Sequence, residues 1–94
     1  NIVQTLNKLK EKNMWVVGAD MDGSQLYYEA DLTGALVLVV GSEGKGISRL
    51  VKEACDFLVQ MPMMGKINSL NASVAASVLL YESVRQRQRK ASGK

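Results

Sequence analysis

No histidine occurs in these 94 residues, and there is one cysteine, Cys55. The first absence removes the usual general base of serine and cysteine hydrolases and the commonest zinc ligand. A single cysteine excludes an internal disulfide and any Cys/His metal cluster. Metal chemistry would have to rest on carboxylates alone, and these are scattered along the chain. Cys55, between Ala54 and Asp56, reads as a small buried hydrophobe rather than a reactive thiol. A reducing, cytoplasmic location fits that reading. Long hydrophobic runs are missing too: the longest, residues 35–40, is far too short to cross a bilayer. Residues 1–6 show neither the basic nor the apolar region of a signal peptide. The chain does not begin with Met, so it is expected to be a piece of a longer protein.

What is present is an ordinary globular composition, 47% hydrophobic and 22% charged, which sets disorder aside. The net charge of +3 is unevenly placed. Arg85, Arg87, Arg89, Lys90 and Lys94 fall in the last ten residues without an acid, so the rest of the chain is slightly negative. Such a basic tail, residues 85–94, suits phosphate contacts and equally suits plain solubility.

Apolar periodicity divides the chain. Ile2, Val3, Leu6 and Leu9 make one face of a helix over residues 1–12, which Asn13 ends. Residues 14–19 read as a buried strand and residues 20–24 as a turn. Residues 26–30 are read as a short helix, broken by Thr33-Gly34. Residues 35–40 are the clearest strand, apolar throughout and therefore expected to be covered on both faces, as in a parallel sheet. A glycine-rich loop follows, then a helix over residues 47–54 and a third strand over 57–61, ended by Pro62. Residues 63–68 read as loop. Asn68 or Ser69 caps a last helix running to about Gln88. Strands alternating with helices predict an α/β domain with right-handed crossovers, whose ligands collect beyond the carboxyl ends of the strands.

Two loops leave strand ends at that edge. Gly41-Ser42-Glu43-Gly44-Lys45-Gly46 has the wrong spacing for a Walker A loop, because Ile47 rather than lysine follows Gly46. It also has the wrong spacing for a dinucleotide fingerprint. Its glycines still permit close approach of a ligand to the backbone. Glu43 there is either a ligand-facing acid or a solvated one. In the second loop, Asn68, Ser69, Asn71 and Ser73 crowd a helix start where one cap would suffice. An amide such as Asn71 both donates and accepts, which suits a polar ligand. Met61, Met63 and Met64 are candidates for pocket lining.

Together these segments resemble a known family. Leu38-Val39-Val40-Gly41-Ser42-Glu43-Gly44-Lys45-Gly46-Ile47-Ser48 resembles motif 2 of the SpoU family of SPOUT methyltransferases. Met61-Pro62-Met63 through Gly65, then Ser69-Leu70-Asn71-Ala72-Ser73-Val74-Ala75, resembles motif 3. The match runs from about Trp15 to Arg87. The ending Tyr81-Glu82 with Val84-Arg85-Gln86-Arg87 is most similar to the branch that modifies a guanosine of 23S ribosomal RNA.

The resemblance implies an α/β fold with a SPOUT-type parallel sheet, a C-terminal deep trefoil knot and a homodimer. The chain would be the C-terminal part of a methyltransferase domain acting on ribosomal RNA at a ribose 2′-hydroxyl. S-adenosyl-L-methionine would be the methyl donor, bound by Val40, Gly41, Gly44, Met61, Met63, Leu70 and Asn71. Glu43, Ser69 and Asn71 would assemble the catalytic and RNA-facing site. The family assigns proton removal to a motif 1 arginine, and none of Arg49, Arg85, Arg87 or Arg89 occupies that position, so this chain is expected not to methylate alone.

Two other readings stand beside this one. A non-catalytic RNA-binding module would use the tail and loop backbone and ignore S-adenosylmethionine. A nucleotide-binding regulatory domain would take ATP or a dinucleotide at residues 41–46.

Overall fold

The computed structural model describes residues 1–21, 23–41, 46–61 and 69–93, with backbone alone for 69–71. In chain order the elements are α1 (Ile2–Glu11), β1 (Trp15–Ala19), β2 (Gln25–Leu26), β3 (Leu36–Val40), α2 (Arg49–Ala54), β4 (Phe57–Gln60) and α3 (Ser69–Ala91). The strands form one sheet in the order β2-β4-β1-β3, and every described pairing is parallel. The predicted parallel α/β architecture is therefore present.

The pleat explains the apolar runs. Val16 faces one layer and Val17 the other, both fully buried. On the first face Leu6 of α1 and Val51 and Ala54 of α2 pack with Val16 and Ile47, joined by Val37 and Val39. On the second, Leu79 of α3 packs with Val17, Val59, Ala30 and Leu32, joined by Leu36, Leu38 and Val40. Strand β3 thus lends side chains to both layers, as its unbroken apolar sequence predicts. Each is only half-buried, because β3 is an edge of the described sheet. Fully burying side chains such as Leu32 and Leu79 contributes about 1.5–3 kcal/mol each.

Local chemistry sets the helix ends. The Asn1 side chain accepts from Val3 N–H at 2.8 Å and Gln4 N–H at 3.3 Å, capping α1. Beyond its other end Asn13 takes a positive φ of 65°, which asparagine tolerates better than most residues. Helix α2 is shorter than predicted: Ser48 caps it from outside, and Ile47 stays buried ahead of it. Lys10 donates to the Ala54 carbonyl at 3.1 Å, serving an otherwise open carbonyl of α2. Asp56 opens β4 by doubling its tie to β1. Its carboxylate accepts from Val16 N–H, and its own N–H donates to Val16 C=O, both at 2.7 Å.

The short helix expected over residues 26–30 is met only in part. Gln25 and Leu26 pair with Val59 and Gln60 as a strand, and Tyr27–Glu29 make a single 3₁₀ turn. The partner strand lies more than thirty residues away, and no local pattern announces it. The last helix runs slightly past its expected end at about Gln88. Residues 85–91 of the basic segment are the last turns of α3, and Arg85 and Arg87 are engaged within the fold. Arg85 forms a bidentate pair with Glu82 at 2.8 Å, and Arg87 donates to the Gly34 carbonyl at 2.6 Å.

Cys55 is half-buried, and its thiol donates to Val51 C=O at 3.3 Å. Burial, with Asp56 nearby, pushes its pKa up, so the thiolate is disfavoured, in line with the inert reading.

Candidate functional site

The site is built where three strand ends meet. In register, Ala19 of β1 sits opposite Val40 of β3 on one side and Val59 of β4 on the other. Both motif loops leave the strands that flank β1: one departs from β3 at Gly41, the other from β4 at Met61. The parallel order thus brings together loops that are twenty residues apart in sequence. Val40 and Met61 are half-buried and belong to the same apolar cluster, which gives this edge an apolar wall.

The first loop is closed at its base by two glycines. A Cβ added to Gly41 would fall on the backbone of Gly46, so no larger residue fits there without moving the chain. Gly46 itself has a φ of +68°, which L side chains rarely adopt. The outer glycines therefore have specific geometric reasons: one permits backbone contact, the other a left-handed turn.

Among the expected site residues, Val40, Gly41 and Met61 are brought to this edge. Ser69, Leu70 and Asn71 form the first turn of α3, which follows the second loop. Glu43, Gly44 and Met63 lie outside the described residues, as does Asn68, one of the two expected caps. Among the described residues no group of three or more acidic, histidine or cysteine side chains could hold a metal ion. No described helix is long and apolar enough to cross a membrane.

One residue at the edge escaped the sequence reading. Asp20 opens the expected turn and, directly after β1, also stands between the two loop bases, which the turn pattern alone does not show. Its N–H donates to Val59 C=O at 2.9 Å, and its C=O accepts from Gly23 N–H at 3.0 Å. Its side chain is 6% exposed and pairs with Lys52 of α2 at 3.2 Å. Gly23 is fixed as closely: a Cβ there would lie 2.5 Å from the Val59 carbonyl carbon. The only sequence signal was an acid directly after a buried strand, which a turn explains equally well.

A second polar assembly lies on the opposite face, under the C-terminal half of α3. Ala75, Leu79, Glu82, Ser83 and Gln86 share the inward side of that helix, the first two apolar and the rest polar. Gln86 accepts from Leu32 N–H at 2.8 Å and donates to Ala30 C=O at 3.0 Å and to Glu82 at 2.7 Å. Ser83 donates to Leu32 C=O at 2.8 Å. The irregular segment from Ala30 to Gly34 thereby obtains from α3 the hydrogen bonds that it lacks from a sheet. The Arg85 guanidinium, with help from Gln86, holds the Glu82 carboxyl below its ordinary range, against the opposing effect of burial.

Known proteins are similar to this chain in sequence and fold. The model of the SpoU rRNA Methylase family matches residues 1–81. A 23S rRNA (guanosine-2′-O-)-methyltransferase of Pseudomonas putida is 53% identical over 88 residues, 94% of this chain and 36% of that protein. Its counterpart in Pseudomonas aeruginosa is 49% identical over 87 residues, 93% of this chain and 35% of that protein. The chain thus spans about a third of the length of these relatives. Its expected place in the C-terminal part rests on motif order and is not given by these matches.

Among solved structures, the A. aeolicus TrmH/SpoU tRNA modifying enzyme superposes with a TM-score of 0.82 at 38% identity, over 97% of this chain and 47% of that one. The SpoU methyltransferase AviRb from Streptomyces viridochromogenes, solved with the cofactor AdoMet, gives 0.76 at 34% identity, over 89% and 35%. With residues 1–81 matched by the family model and relatives about half identical over more than nine-tenths of its length, the chain belongs to the SpoU rRNA methylase family.

Proposed function

We propose that this chain carries the S-adenosylmethionine-binding part of an enzyme that methylates a ribose 2′-hydroxyl of ribosomal RNA, with a 23S rRNA guanosine as target. The juxtaposition of the Gly41 and Met61 loop bases on either side of β1 is the observation that carries the reading. An adenine ring needs apolar walls and a few fixed polar partners. Val40 and Met61 stand ready as walls, and the closed neck at Gly41 and Gly46 lets backbone amides approach a ligand. A site of this composition fits the donor, and AviRb, which shares the fold, was solved with it.

Bound here, S-adenosylmethionine supplies an electrophilic methyl group to the ribose oxygen. The residues proposed to hold it are Val40, Gly41, Gly44, Met61, Met63, Leu70 and Asn71. Glu43, Ser69 and Asn71 are proposed to complete the catalytic and RNA-facing side. A group within hydrogen-bond reach of the hydroxyl must take or weaken its proton. No arginine of this chain stands at the family's motif 1 position, so the chain alone binds the donor without transferring its methyl group.

A trefoil knot formed by the C-terminal segment, and a homodimer with the site near its seam, complete the proposal. Exposed Val74, Leu80, Tyr81 and Val84 on α3 support the seam. Incubation with methyl-tritiated donor and 23S rRNA tests the reading. Donor retained on the protein without label in the RNA is expected. Label in the RNA contradicts the assignment of a donor-binding part alone, and failure to retain donor contradicts the assignment altogether.

A further inference from the structure

The residue between the two loop bases has no part in the reading above, and its surroundings give it one. Asp20 directly follows β1, the strand flanked by both β3 and β4. Its main chain is fixed on two sides, by Val59 and by Gly23. Its carboxylate side chain is 6% exposed and is held by the pair with Lys52. One oxygen lies 3.6 Å from the place a Cβ would take at Gly46, and the other lies 3.2 Å from the Lys52 ammonium. Gly46 in turn touches Gly41 across the loop base. A single buried carboxylate thus abuts the turn that closes the first loop and anchors the helix into which that loop runs.

An ion pair with one partner buried and the other 31% exposed is a poor stabiliser in itself, since desolvation offsets much of the attraction, and its use here is to fix where the carboxylate sits. An apolar residue after β1 would serve packing equally well. The negative charge at this point fits a different need: holding the left-handed turn at Gly46 and the start of α2 in one relation to β1. On the donor-binding reading, that relation sets the shape of the Gly41 side of the pocket.

We propose that Asp20 is a positioning residue of the methyl-donor site, acting through Gly46 and Lys52 rather than by touching the donor. This rests on the reading of residues 41–46 as donor-binding. Loss of its charge widens the loop base and weakens every ligand that uses the loop backbone, the demethylated product included.

The test measures affinity for S-adenosylmethionine and for S-adenosylhomocysteine by calorimetry on the 94-residue chain, beside thermal midpoints. The variants are Asp20→Asn and Lys52→Met. Asp20→Asn is expected to weaken both ligands alike, by roughly tenfold, the scale of one charge-assisted contact. Lys52→Met leaves the carboxylate against Gly46 and is expected to weaken both by less, in the same direction. Unchanged affinity in Asp20→Asn, with wild type binding normally, overturns the inference and leaves the donor site standing. A loss confined to S-adenosylmethionine also overturns it, by showing that the carboxylate meets the sulfonium directly. Equal losses in the two variants, tracking their thermal midpoints, reduce the pair to a structural tie and overturn it as well. No binding by wild type removes the donor reading and this inference with it. Should Asp20→Asn not fold, Lys52→Met decides alone, and unchanged affinity there counts against the proposal.

Discussion

Gln86 and Leu32 lie 54 positions apart and are joined by a 2.8 Å hydrogen bond from the Leu32 N–H to the Gln86 amide oxygen. The same amide donates to Ala30 C=O on the other side of the segment, so one side chain completes both backbone bonds of an extended loop. Replacement of Gln86 by Leu leaves a donor and an acceptor unserved in a half-buried place. Each such group costs on the order of 1–3 kcal/mol. A urea unfolding series should show a loss of that size with an unchanged slope, whereas Gln88→Leu, on the exposed side, should change stability by less than about 0.5 kcal/mol.

Acid should weaken the same assembly. Glu82 is held below its ordinary value of 4.5, first by the Arg85 hydrogen bond and then by Gln86. A carboxyl depressed in the folded state adds stability above its unfolded pKa and loses it as pH falls through the lower folded value. Stability should therefore decline below about pH 4.5. Asp31, held low by Thr33, titrates in the same window, so the informative comparison is with Glu82→Gln. That variant should be less stable at neutral pH and should show a shallower acid decline. Parallel declines in the two proteins would remove Glu82 from the account.

The glycines of the chain should differ sharply in tolerance. Gly41→Ala drives a methyl group into the Gly46 backbone, and relief by moving packed chain costs on the order of 1–3 kcal/mol. Donor affinity should fall by at least about tenfold, the equivalent of 1.4 kcal/mol. Gly34→Ala places its methyl 3.6 Å from the Trp15 ring, an ordinary contact. It should be nearly neutral in both affinity and thermal midpoint.

Core truncation gives a further contrast along α3. Leu79 is fully buried between the helix and the sheet, and Leu79→Ala should cost about 2–5 kcal/mol. Tyr81, two residues on, is 79% exposed, and Tyr81→Ser should leave the stability of the isolated chain unchanged. If the proposed seam is used, Tyr81→Ser should instead weaken self-association in sedimentation.

These contrasts also mark what could be read from residues alone. Helical periodicity located α1 and α2, unbroken apolar runs located β1, β3 and β4, and the polar cap residues located the start of α3. The short helix expected over residues 26–30 is present only as the 3₁₀ turn Tyr27–Glu29, because Gln25 and Leu26 become a strand only through β4. The charge of residues 85–94 suits phosphate contact and solubility alike, and charge alone does not show that Arg87 and Gln86 reach back to the segment from Ala30 to Gly34. That segment is joined to them only by the fold. Gly41 and Met61 were legible as loop bases after strands. Asp20 was not: its meaning arises from the parallel order, which sets β1 between two strands that follow it in sequence.

The central claim is that the bases of the two loops form a methyl-donor pocket, and calorimetric titration of the purified chain with S-adenosylmethionine tests it most directly. Saturable binding to the wild type that ATP does not reproduce, and that Gly41→Ala weakens, is the predicted result. A folded chain that gives no heat with the donor, or that binds ATP in its place, would contradict the account.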